Sequence, residues 1–130
     1  MRISDLSEEK IVEFSESRSE PKWLLDFRLR CFKKFLELPL EKSNLYSKYS
    51  HLLNIDFQNL EATFERPENI KVKFRESPVK IYDIFSNLDQ LKNFFNEAPE
   101  DKLLCLNNSI FNSGIFIQVP ENLEASLPLE

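Results

Sequence analysis

The chain has 130 residues, 42% of them hydrophobic and 30% charged, which is enough for a packed core and too apolar for disorder. Its single glycine, Gly114, excludes the glycine-rich loops that cradle phosphates, and its single histidine, His51, excludes poly-histidine metal centres. A net charge of −5 disfavours polyanionic partners, both nucleic acid and anionic membrane surfaces. The first predicted element is a short helix over residues 7–18. Ser7 can cap it, Glu8 and Glu9 favour its positive end, and Leu6 can staple it over Ile11, Val12 and Phe14.

The strongest signal follows. Ser19-Glu20-Pro21 reads as a stop and then a start, because proline suits the first turn of a helix. From Pro21 to Leu38, Leu24, Phe27, Cys31, Phe35 and Leu38 recur at spacings of three and four. Trp23, Leu25, Leu29, Phe32 and Leu36 add a second stripe, so this helix is expected to be sandwiched, and Pro39 stops it. Trp23 and Phe27 are expected to be buried.

Residues 40–69 lack sustained periodicity and read as an irregular segment anchored by aromatic side chains. Residues 70–75 alternate strictly, which predicts a half-buried strand with Ile70, Val72 and Phe74 inward. Val79 to Tyr82 extend an edge strand or lead into the next element. A helix is predicted over residues 87–96 from Leu88, Leu91, Phe94 and Phe95. A second, opened by Pro99, carries Leu103, Leu104 and Leu106, and Asn107-Asn108-Ser109 is expected to end it. Residues 115–119 are a clear strand, and residues 123–129 read as an edge-like strand carrying Pro128. Helices first and strands last is the α+β pattern.

Few residues suggest chemistry. Cys31 and Cys105 permit a disulfide, but their apolar neighbours favour two buried free thiols, and neither thiol reads as reactive. His51 has no patterned nucleophile or orienting carboxylate and reads as a surface or turn residue. Glu8, Glu9, Glu13 and Glu16 read as a solvated helix face, and Arg28, Arg30, Lys33 and Lys34 as a basic cluster that keeps its helix soluble. Lys71, Lys73 and Arg75 beside Phe74 hint at a nucleic-acid strand, which the acidic total counts against. The start, MRISDLSEEK, lacks the apolar core of a secretory signal, and no stretch approaches the ~20 apolar residues of a membrane span, so a cytoplasmic protein is expected.

Two stretches together resemble a known family. Ser19-Glu20-Pro21-Lys22-Trp23-Leu24-Leu25-Asp26-Phe27-Arg28-Leu29 is similar to the "EP-x-W-(M/L)-x-x-x-R-L" signature near the start of SufB/SufD proteins, the scaffold subunits of SUF iron–sulfur cluster assembly. The match falls on Glu20, Pro21, Trp23, Leu24, Arg28 and Leu29. Leu106-Asn107, followed by Gly114, Phe116, Val119 and Pro120, resembles that family's "LN…(D/S)G-x-F-(I/V)-x-(V/I)P" approach to its core domain. The resemblance spans nearly the whole chain, and residues 36–49 are closer to the SufD type.

This resemblance implies a mainly helical N-terminal region over 1–107, with a short strand near 70–75. It also implies that 108–130 begin a right-handed parallel β-helix core. Family residues that build the cluster, and the surface for the SufC-type ATPase, lie beyond what this chain matches. The resemblance therefore implies no catalytic, cofactor-binding or metal residue here. The expected function is the N-terminal portion of a SufB/SufD-like scaffold that acts through protein–protein contacts and is not itself an enzyme. Its partners would be other SUF subunits, with a homodimer through the C-terminal strands as a further expectation. The competing reading is a free-standing adaptor or regulator unconnected with iron.

Overall fold

Ser7 starts the first helix, α1 (Glu8–Ser17), by accepting a hydrogen bond from the Lys10 amide at 3.4 Å. The structure, a computed structural model, describes residues 1–40, 56–65 and 79–124. Ile11 and Phe14 form the buried face of α1. Its C-terminus closes in a Schellman motif. The Ser19 amide donates to Glu16 O at 2.9 Å and the Glu20 amide to Ser15 O at 3.0 Å. Ser19 holds φ at 54°, in the left-handed region where glycine is usual. That turn delivers Glu20 and Pro21 to the start of α2 (Lys22–Glu37), whose Leu24 and Leu25 amides donate to Pro21 O. The expected stop and start is thus one connected piece of geometry.

Helix α2 buries Leu24, Phe27, Arg28, Cys31 and Phe32. Its last carbonyls are taken by a side chain from elsewhere: Lys102 Nζ donates to Phe35 O at 2.5 Å and Leu38 O at 2.7 Å. Lys102 opens α4 (Lys102–Ile110), which Asp101 caps by accepting from the Leu104 amide at 2.6 Å. The helix therefore begins at the Asp101 cap rather than at Pro99. It also continues through Asn107-Asn108-Ser109, which was expected to end it. The Ser109 hydroxyl donates back to Leu106 O at 2.7 Å, so this polar side chain is satisfied inside the helix.

Residues 56–64 include a stretch that pairs with the N-terminus. Asp56 caps a 3-10 turn at Phe57–Asn59, then Arg2 bridges Glu61 antiparallel and the Ile3 amide donates to Leu60 O at 2.9 Å. Phe64 stacks on Phe14 with ring centroids 4.3 Å apart. Leu6, Ile11, Phe32 and Leu106 form the centre of this helical unit, with Leu25, Leu29, Phe35 and Ile110 packed against it. The unit comprises residues 1–64 and 92–111.

The second unit comprises residues 65–91 and 112–130. Its strands β1 (Lys80–Asp83) and β2 (Ile115–Gln118) pair antiparallel, with Tyr82 opposite Phe116 and Ile81 opposite Ile117. The pairing is antiparallel, so this pair is distinct from the parallel coils of a β-helix. The helix predicted over 87–96 is broken into α3 (Leu88–Leu91) and a 3-10 turn at Lys92–Phe94. The predicted strand at 70–75 lies outside the described residues, as does most of 123–129. Helices with a small sheet make the fold α+β.

Candidate functional site

The feature that organises the helical unit is an ion pair between two residues of the first motif. Arg28 is completely buried and the Glu20 side chain is 2% exposed. Arg28 Nε donates to Glu20 Oε2 and Nη2 to Glu20 Oε1, both at 2.8 Å, a bidentate fork. The same guanidinium donates from Nη2 to Phe111 O at 3.0 Å and from Nη1 to Ser109 O at 3.3 Å. Its carbon lies 4.2 Å from the Phe111 ring centroid and 5.0 Å from that of Phe14. Burial lowers the Arg28 pKa, and the Glu20 carboxylate works against that shift.

This arrangement does a definite job. The end of α4 leaves carbonyls without helical partners, and Arg28 collects two of them while Glu20 balances its charge. The first motif thereby grips Ser109 and Phe111 at the end of α4, the helix that carries Leu106 and Asn107. The expectation that Arg28 belongs to a solubilising basic cluster is overturned. Arg28 follows Leu24 by four and precedes Cys31 by three, which sets it on the buried stripe. That position was the available signal; the partner eight residues earlier, across a proline, was not a helical spacing. Arg30 and Lys34 do face outward. Arg30 donates to Asn96 O at 3.3 Å, and Lys34 pairs with Glu100, which raises its pKa.

The other motif residues divide. Leu24 is fully buried, Leu29 packs on the core and Leu106 is buried within it. Trp23 is half-buried, not buried as expected, with its ring 5.9 Å from Phe95. Phe27 is buried and meets Phe95 edge-on at 5.1 Å. Pro21 is the N-cap residue of α2, and Asn107 is exposed. In the strand unit, Gly114 lies in close approach to Ile84 and has no unusual torsion. A Cβ there would stand 3.1 Å from Ile84 Cγ2, and its φ is not positive. Phe116 stacks on Tyr82 at 6.0 Å, whereas Val119 is 59% exposed and Pro120 begins a turn closed by the Leu123 amide.

Among the described residues, no group of three or more His, Cys, Asp or Glu side chains is placed to hold a metal. His51, Lys71, Lys73 and Arg75 lie outside them. Cys31 and Cys105 are both free and buried. Burial, and then the neighbouring Cys105, push the Cys31 thiol up to about 12, and burial also raises Cys105. A cavity of about 430 Å³ opens between the N-terminal turn, the end of α2 and the start of α4, lined by Ile3, Phe32, Phe35, Phe57 and Leu103. No described helix is long and apolar enough to cross a membrane.

The chain is similar to iron–sulfur cluster assembly SufBD family proteins of Staphylococcus epidermidis, Staphylococcus haemolyticus and Staphylococcus aureus. The identities are 24%, 24% and 23%, each over 96% of this chain and 37% of the relative. The chain thus spans little more than a third of the length of these relatives. The aligned stretch of 171 residues exceeds the chain's own 130, so the relatives carry internal insertions. No family profile matches the chain, and no solved structure matches it. The similarity runs across both motif stretches, and it supports a SufB/SufD family relationship.

Proposed function

We propose that the chain works in iron–sulfur cluster assembly as the N-terminal helical module of a SufB/SufD-like scaffold. In this reading it acts by contact with other assembly subunits, in the cytoplasm, and performs no catalysis and holds no cluster by itself. The observation that carries the reading is the coincidence of similarity and structure. The alignment covers 96% of the chain, and Glu20 and Arg28 of the first stretch hold the end of α4, the helix that carries Leu106 and Asn107. A buried clasp of this kind serves a module that must keep its shape. The sequence carries two cysteines and one histidine, whereas a cluster usually draws four ligands from its protein.

The test is genetic and biochemical together. Removing this chain from the organism that makes it should lower the activity of cluster-dependent enzymes and spare cluster-free ones. A tagged chain should co-purify with SUF subunits, including a SufC-type ATPase. Unchanged cluster enzymes in the deleted strain would remove the assembly role, and capture of none of those subunits would remove the contact role. Self-association through the exposed Ile115, Ile117 and Val119 side chains belongs to the same proposal; a strict monomer by light scattering at high concentration contradicts it.

A further inference from the structure

Helices α2 and α4 run antiparallel, and two contacts fix their register. Near one end Arg28 Nη1 reaches Ser109 O at 3.3 Å, and near the other Lys102 Nζ reaches Phe35 O at 2.5 Å. Arg28 and Phe35 are seven positions apart on α2, and Lys102 and Ser109 are seven apart on α4. Midway on each helix stands a cysteine: Cys31 on α2 and Cys105 on α4. Their C-terminal neighbours, Phe32 and Leu106, share one core cluster. Both thiols are wholly buried and free, and Cys105 Sγ donates to Pro99 O at 3.1 Å. Packed helices lie roughly 8–10 Å apart, and Cα atoms sit about 2.3 Å from each axis. Directly facing Cα atoms are then roughly 3.5–5.5 Å apart, which overlaps the ~4.4–6.8 Å a disulfide spans.

We infer that Cys31 and Cys105 are a facing dithiol that a small-molecule disulfide converts into an intramolecular disulfide stapling α2 to α4. The exchange proceeds in two steps. One cysteine thiolate attacks the oxidant, giving a mixed disulfide and one released thiol. The second cysteine then attacks the mixed disulfide at the protein sulfur and releases the second thiol. The protein dithiol gives up two electrons and two protons, and the oxidant becomes two thiols. Burial keeps both thiols protonated and shielded in the closed helix pair, so the first attack passes through transient opening of the α2–α4 contact. Once formed, the bond closes the long loop between α2 and α4 and restricts the unfolded chain.

The full chain is incubated with oxidised glutathione in denaturant just below its unfolding midpoint, then returned to buffer. The expected product has lost two hydrogens by intact mass, yields one peptide pair joining Cys31 to Cys105, and melts several degrees higher than the reduced chain. Cys105→Ser should stop at a glutathione adduct on Cys31, and Cys31→Ser at one on Cys105, because each lacks the second sulfur. The inference is overturned if the unaltered chain also stops at glutathione adducts, joins chains in pairs, or keeps both thiols free after opening. A closed disulfide that lowers the melting temperature overturns it as well, since that bond would strain the helix pair.

Discussion

The two units handle their motif residues in opposite ways. In the helical unit most of them turn inward: Glu20 and Arg28 form a buried pair, and Leu24 and Leu106 join the interior, with Asn107 the exposed exception. In the strand unit, Val79 and Leu91 are the buried apolar residues among those described, while Ile115, Ile117 and Val119 are 44%, 36% and 59% exposed. One resemblance therefore carries two constraints. The first motif preserves a shape. The second provides a tight crossing at Gly114 and then an apolar strand face in the open. Shape-keeping residues should show their effects in stability, and the open face should show almost none.

The sharpest break in that contrast comes from Arg28→Met. It strands the Glu20 carboxylate in the interior and frees two carbonyls, and should lower unfolding stability by about 3–5 kcal/mol in a urea titration. Phe27→Ala removes a buried ring from the contact with Phe95 and should also lower it, by about 3–5 kcal/mol. A variant as stable as the parent at either position would mean that the inward face is not a core. In the strand unit, Gly114→Ala forces Ile84 to give way and should cost roughly 1–3 kcal/mol. Ser19→Gly should instead gain about 1 kcal/mol by relieving the left-handed Ser19, seen as a higher melting temperature. Ile117→Thr, on the open face, should change stability by less than about 0.5 kcal/mol. A loss as large as that of Phe27→Ala would show that this face is covered in solution.

The same contrast explains what the sequence made legible. Helices α1 and α2 follow from local cues that the structure retains: the Ser7 cap, the Pro21 start and the three-four spacing of Leu24, Phe27, Cys31 and Phe35. The strand from Ile115 follows from β-branched and aromatic residues after Gly114. What failed was decided by tertiary partners. The helix over 87–96 breaks as Phe95 joins Trp23, Phe27 and Phe111, leaving Phe94 76% exposed. Asn107-Asn108-Ser109 resembles a stop, yet Arg28 and the Ser109 hydroxyl satisfy the groups that would otherwise end α4 there. The members of the clasp were named from the motif, but their pairing was hidden. A charge on an apolar stripe reveals that it needs a partner without saying which one.

A double-mutant cycle on Glu20 and Arg28 tests the central claim that these motif residues hold the helical unit as one buried clasp. Glu20→Met, Arg28→Met and the double variant would be unfolded in urea and their stabilities compared. Each single variant leaves one charge buried without its partner, and the double leaves neither. The loss in the double variant should therefore fall short of the summed single losses by about 2–3 kcal/mol. Losses that simply add would contradict the clasp, because they would mean that Glu20 and Arg28 act on the fold independently.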